Sequence, residues 1–193
     1  MASNPSQYIA TYLEEASHIL VEMAESLSDT VEIIAQKAIE TLRNGDKILL
    51  CGNGGSAADC QHVACELVGK FRRMRHALPA IALTTDTSTL TAVANDLGFQ
   101  ETFCRQVEAL GRPGDLLIAI STSGNSPNVL KAVETARSKG LTTVGFTGRD
   151  GGTLASMVDL SLAIPSSETP HIQEAHITAL HLICALVEEA LAR

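Results

Sequence analysis

The sequence predicts an α/β fold, a three-layer sandwich in which helices cover both faces of a five-stranded parallel sheet. Two observations carry this. Of 193 residues, 45% are hydrophobic but only 3% aromatic, with no Trp, so the core is built from Ala, Leu, Val and Ile. From residue 47 onward, short aliphatic runs alternate with helical patterns, as in a parallel sheet buried on both faces. Residues 1–193 read as a single domain, with a helical lead-in over 1–45 and an α/β core ending in a helix over 46–193.

The lead-in holds two helical patterns. Tyr8, Tyr12, Ile19, Leu20, Met23 and Leu27 recur at helical spacing. Ser28-Asp29 then interrupts, with Asp29 as the N-cap of a second helix that carries Val31, Ile34, Ala38, Ile39 and Leu42 and stops at Asn44-Gly45. A strandless approach of about 40 residues is long for an α/β unit. Its apolar stripes predict a partner surface on another subunit.

In the core, 47–51 reads as the first strand, followed by a glycine turn and a helix from Ser56. The second strand is 80–83, with short helices around 88–95 and 101–110. The third is 115–120, and the helix after it spans 127–139, capped by Gly140. Strands at 142–146 and 160–164 complete the sheet, and a helix over 170–191 closes the chain.

Charge and composition narrow the function. A formal charge of −8 excludes a general nucleic-acid binder, which needs a basic face. It leaves a small anionic substrate open, because amides and hydroxyls hold phosphate locally. No run approaches a membrane span, and no basic segment leads into an apolar one. Five cysteines without a C-x-x-C spacing read as reduced, mostly buried thiols. A soluble, cytoplasmic protein is expected.

Ligands of open parallel sheets bind beyond the carboxyl ends of the strands. After the first strand comes Cys51-Gly52-Asn53-Gly54-Gly55-Ser56-Ala57. Glycines let a ligand approach the backbone, and Ser56 is placed to cap the following helix. The string fits the loose dinucleotide fingerprint, but no acidic residue ends the second strand, and Asp86 comes later. After the third strand comes Ser121-Thr122-Ser123-Gly124-Asn125-Ser126-Pro127. Ser126 is placed as N-cap and Pro127 as first helical residue, so hydroxyls crowd a helix N-terminus without a lysine. That suits a phosphate monoester.

The helix from Ser56 carries Asp59, His62, Glu66, Lys70 and Arg73 at three- and four-residue steps. Asp59, Lys70 and Arg73 read as a solvated stripe. His62 and Glu66, at i and i+4, can converge on one divalent ion, and an imidazole–carboxylate pair suits zinc. The last helix opens with Thr169-Pro170-His171-Ile172-Gln173-Glu174-Ala175-His176, and His181 follows. Three histidines in an otherwise apolar helix exceed what core packing explains.

In order, the strings C-G-N-G-G-S-A-A-D-C-Q-H, L-P-A-I-A-L-T-T-D, A-N-D, I-S-T-S-G-N-S-P-N, G-F-T-G-R-D-G-G and I-Q-E-A-H resemble the sugar isomerase (SIS) domain family, and within it the phosphoheptose isomerases, over nearly the whole chain. The resemblance implies a flavodoxin-like SIS fold and a homotetramer, with one zinc ion per subunit. It implies conversion of sedoheptulose 7-phosphate to D-glycero-D-manno-heptose 7-phosphate, the entry of heptose into lipopolysaccharide. Matching residues give Asn53, Gly54, Gly55, Ser56, Glu66, Asn95, Asp96, Ser121, Thr122, Ser123, Ser126 and Gln173 as substrate contacts. They give His62, Glu66, Gln173 and His181 as zinc ligands, and Glu66 and His181 as the proton-transfer pair. His176 receives no role, and His171 reads as a surface residue at the helix start.

Gln173 and His181 are eight residues apart, a rise of roughly 12 Å along a straight helix. Both hardly reach one ion from that helix, so an active site between subunits is expected, with the N-terminal helices and the last helix in oligomer contacts. Sister SIS proteins that associate with a replication initiator lack the matching carboxylate and last histidine; Glu66 and His181 favour the enzyme. A phosphosugar-sensing domain is the other binding-only alternative, and a nucleotide-dependent oxidoreductase is the weakest.

Overall fold

The computed structural model describes residues 4–192. Two helices come first, α1 (Pro5–Ser26) and α2 (Ser28–Arg43). The side chain of Asn4 accepts the Gln7 N–H at 3.4 Å, and Pro5 opens α1. Asp29 is not the cap of α2: Leu27 holds that position, and Asp29 lies in the first turn. The break between the helices is one residue, too short for a separate capping turn. α2 buries Val31, Ile34, Ala38, Ile39 and Leu42. α1 buries only Ile19 and Met23 and leaves Tyr8, Ile9 and Leu13 exposed.

The five strands are β1 (Ile48–Gly52), β2 (Ala80–Ala82), β3 (Leu116–Ile120), β4 (Thr142–Gly148) and β5 (Leu160–Ile164). All pair in parallel, in the order β2-β1-β3-β4-β5. Alternate residues face opposite layers. Ile48, Leu50, Leu116, Ile118 and Ile120 join the core under α2, α3 (Gly55–Val68) and α8 (Thr169–Leu191). Leu49, Cys51, Leu117 and Ala119 join the core under α5 (Cys104–Leu110), α6 (Pro127–Ser138) and α7 (Gly152–Met157). Each such buried Leu or Ile contributes roughly 1.5–3 kcal/mol through lost water contact.

This order reverses between β1 and β3, the point where doubly wound sheets open a crevice. The register places the two loops side by side, because Gly52 at the end of β1 pairs with Ile120 at the end of β3. The glycine turn enters α3 on one face, and the serine turn enters α6 on the other. α4 (Thr87–Leu97), with Asp86 as its cap, and a 3-10 turn (Phe99–Glu101) flank the crevice.

The structure departs from the expected elements in three places. α3 ends at Val68, so Lys70 and Arg73 are not on its face. Beyond Gly69 the chain turns to wrap the carboxylate of Glu188. A further helix, α7, forms between the fourth and fifth strands, where the sequence pattern predicts no element. His171 is buried, at 4% exposure, because α1 lies over the start of α8. Its Nδ1 is 3.1 Å from Glu174 and its ring lies 4.3 Å from that of Tyr12, whose hydroxyl donates to Glu174 at 2.6 Å.

Candidate active site

Along α3 and α8, three successive contacts keep the helices side by side. Gly55 meets the Gln173 carboxamide so closely that a Cβ at Gly55 would stand 2.6 Å from Nε2. His62 then meets His181, Nε2 to Nε2, at 2.8 Å. Last, the segment after Gly69 meets Glu188, which accepts the backbone N–H groups of Phe71, Arg72 and Arg73 at 2.9, 2.7 and 2.8 Å. Since Gly55 and Gln173 lie at the carboxyl edge of the sheet, both helices carry their functional side chains away from that edge in step.

The middle contact gathers chemistry. Glu66 lies one turn beyond His62 on α3, with its Oε1 3.6 Å from His62 Nε2. The two imidazole rings meet edge to face, and Phe71 packs on the other side of His181 with centroids 5.6 Å apart. His62 therefore meets both Glu66 and His181 within one chain. The reason is that α8 lies against α3 of its own chain. Gln173 stays apart, as the eight-residue spacing implied: it meets α3 seven residues before His62, roughly 10 Å of helix rise. Asp59 is half-buried rather than solvated, and burial pushes its carboxyl up against the opposing pull of His62.

Two imidazole nitrogens and a carboxylate have the composition of a catalytic zinc site with an open fourth position. Nitrogens bound tetrahedrally to zinc stand roughly 3.3 Å apart, so the histidines need open by only a few tenths of an ångström. Among the described residues no three His, Cys, Asp or Glu side chains stand close enough together to hold a metal ion as they are placed. His62, Glu66 and His181 have the donor chemistry for such an ion but would have to close on it, and Gln173 would have to swing toward it.

The serine turn is held from several sides. The Ser121 and Ser126 hydroxyls bond each other at 3.0 Å. Ser126 occupies the cap position of α6, yet its side chain makes no cap bond, because its hydroxyl is turned to Ser121. Gly124, at φ +66°, lies against Gly151, and Asn125 Oδ1 accepts both the N–H and hydroxyl of Thr153 at 3.0 and 2.8 Å. These contacts fix the backbone while Thr122 is half-buried and Ser123 exposed. The cradle is neutral, with hydroxyls and amides in place of lysine.

At the glycine turn, Gly54 with φ +56° takes the cap position of α3, and Ser56 is buried in the first helical turn. Ser56 is therefore not the cap; it packs on Gly52, where a Cβ would come within 2.9 Å of the serine's own Cβ. Asn53 pairs reciprocally with Asn128 on α6. Asn53, Ser126 and Asn128 line a cavity of about 420 Å³ with Gly98 and Phe99. Asn95 and Asp96 are exposed at the end of α4 just before that wall, with Asn95 donating to Asp96 at 2.7 Å.

Asn128, Phe71 and Glu188 were not singled out from sequence. Glu188 had a signal: Leu180, Cys184 and Glu188 follow at four-residue steps, putting a carboxylate on the buried stripe of α8. Asn128 had only its place in the S-P-N string, and Phe71 had none.

Comparison with known proteins agrees with this arrangement. The SIS domain family model matches residues 11–148. A phosphoheptose isomerase of Roseiflexus sp. is 53% identical over 186 residues, covering 96% of this chain and 94% of the relative. The structure of phosphoheptose isomerase GmhA from Neisseria gonorrhoeae superposes with TM-score 0.91 at 43% identity, over 96% of this chain and all of that one. A phosphoheptose isomerase from Francisella tularensis gives TM-score 0.94 at 38% identity, over 96% and 99% of the two chains. With the sheet order, the paired turns and the His–Glu–His cluster in place, the chain belongs to the SIS domain family, among the phosphoheptose isomerases.

Proposed function

We propose that the protein converts sedoheptulose 7-phosphate to D-glycero-D-manno-heptose 7-phosphate through an enediol, supplying heptose for lipopolysaccharide. The observation that carries this reading is the meeting of His62 with Glu66 and His181 on two helices that start at the carboxyl edge of the sheet, the edge that also holds the neutral serine turn. A binding-only SIS protein has no use for a carboxylate and two histidines in contact.

The 7-phosphate sits on the turn formed by Ser121, Thr122, Ser123 and Ser126, with Asn53, Gly54, Gly55 and Ser56 along the sugar and Asn95 and Asp96 at the outer wall. Binding energy from the phosphate positions the far end of the sugar for proton transfer. Glu66 takes the proton from C1 of the ketose, and the electron pair forms the enediol. His181 moves a proton between the two oxygens, and Glu66 returns its proton to C2. No atom is gained or lost. Zinc, held by His62, Glu66 and His181 with Gln173 as a further ligand, supplies charge stabilisation to the substrate's oxygens when bound. Ligation to a metal would weaken Glu66 as a base, so its role at carbon is argued for the carboxylate free of the ion.

The exposed apolar residues of α1 and α8, among them Tyr8, Ile9, Leu13, Leu182 and Leu186, support assembly as a homotetramer with the active site near subunit contacts. Among the described residues no helix is long and apolar enough to cross a membrane, and a cytoplasmic enzyme is consistent with that.

Incubating the purified protein with sedoheptulose 7-phosphate, with and without a chelator, and following the aldose tests the reading. Turnover is expected, and its absence under every metal condition would sink it. Glu66→Gln should lower turnover by at least 100-fold, on the order of a lost general base, while phosphate-ester binding persists.

A further inference from the structure

We propose that Asn128 is a positioning residue of the isomerase site, acting through Asn53 by a reciprocal amide lock between the glycine turn and the phosphate-binding half. The inference rests on the isomerase reading above. Asn53 Nδ2 donates to Asn128 Oδ1 at 2.9 Å, and Asn128 Nδ2 donates to Asn53 Oδ1 at 2.8 Å. Asn128 is 2% exposed and Asn53 half-buried, so the two bonds are shielded from competing water.

A carboxamide on a mobile turn can flip, exchanging its donor and acceptor faces. Here a flip of either residue sets two N–H groups, or two oxygens, against each other in a buried place, which costs the full desolvation of those groups. The lock thus fixes which face Asn53 gives to the ligand: one N–H and one oxygen lone pair remain for sugar hydroxyls. It also joins two elements that share no strand pairing beyond Gly52 and Ile120. Asn53 belongs to the turn that starts α3, the helix of His62 and Glu66. Asn128 lies in the first turn of α6, next to Ser126 of the phosphate cradle. With the lock closed, the phosphate and the reacting carbons are held at one fixed separation. Misplacement by about 1 Å is enough to cost 100-fold in rate.

A double-mutant cycle tests this. Asn128→Leu should lower kcat by 10- to 100-fold with KM changed less than about threefold, since the phosphate cradle is intact. Asn128→Asp keeps the shape and one of the two bonds and guards against misfolding; its kcat should fall too, and more steeply than its melting temperature. In an Asn53→Ala background, Asn128→Leu should add less than about twofold, because the side chain it positions is gone; a larger added loss would mean that Asn128 acts on the sugar directly from the cavity wall and would overturn the proposal. Losses in kcat that multiply, or wild-type kcat in both Asn128 variants, would overturn the proposal. If the wild type turns over no heptose phosphate, the isomerase reading fails. The same cycle is then read on calorimetric binding of sedoheptulose 7-phosphate: non-additive losses of affinity keep the lock, additive ones remove it, and a wild type that neither binds nor converts the sugar overturns both.

Discussion

His62 and His181 face each other through their Nε2 atoms at 2.8 Å, with ring centroids 5.0 Å apart, and so tie α3 to α8. Without an ion, one ring must donate and the other accept; with one, both lone pairs turn to the same cation. A zinc titration followed by calorimetry should give one site per chain. His62→Ala and His181→Ala should each weaken it by more than about 100-fold, since losing only a ligand's outer-shell support already costs about 10- to 100-fold. Undiminished affinity in both variants would place the metal elsewhere.

Gly124→Ala should damage the phosphate turn. Gly124 adopts φ +66°, and a Cβ there would lie 2.1 Å from the carbonyl oxygen of Gly151, a backbone atom that cannot yield like a flexible side chain. Left-handed strain alone costs about 1–2 kcal/mol, and the clash adds to it. We expect melting to fall by at least about 4 °C and competitive inhibition by inorganic phosphate to weaken several-fold. Wild-type values for both would contradict the geometry.

Glu188→Ala should unsettle the segment that brings Phe71 onto His181. Burial by itself raises the Glu188 carboxyl, but three backbone N–H groups and Arg75 outweigh it and hold the group below the usual carboxylate range. Arg75 in turn donates to the carbonyls of Glu66 and Leu67 at 2.6 and 2.7 Å. Removing the carboxylate leaves a buried guanidinium and several amides unpaired, a loss of about 3 kcal/mol. Glu188→Gln keeps an acceptor and should recover part of it in urea denaturation. Equal stability of the alanine variant and the wild type would show the nest to be dispensable.

Acid should weaken the fold through His176. Its Nε2–H donates to the Thr147 carbonyl at 2.9 Å, and burial lowers its pKa to about 4. In the unfolded chain the ring titrates near its ordinary value, about 6.5. Between these values the unfolded state binds the extra proton, so stability is full above pH about 6.5 and falls as pH drops toward 4. The span amounts to about 3 kcal/mol. His176→Gln should flatten the slope of unfolding free energy over this window, and an unchanged slope would assign the acid sensitivity to other groups.

Much of the architecture is legible from residue patterns, for physical reasons that differ by element. Strands such as β3 are apolar throughout because both faces are covered, and a run like Leu116–Ile120 has little other use. The serine turn is legible because Gly124, Ser126 and Pro127 each satisfy a local backbone requirement. Local rules misplace Asp29 and Ser56 by a residue or two, since capping choices depend on the path of the incoming chain. They miss α7, a six-residue helix held by Leu154 in the core rather than by its own propensity.

The sequence by itself determined the sheet, the two turns at its carboxyl edge, and the presence of His62, Glu66, Gln173 and His181 in the resemblance to a phosphosugar isomerase. Tertiary structure alone decided which of those side chains meet. Helix periodicity ranks residues on one helix but carries no information on the rotation and offset between two. Packing of α8 against α3 brought His62 to Glu66 and His181 and left Gln173 on Gly55, α1 buried His171, and the pairing of β1 with β3 let Asn53 join Asn128 across the switch point.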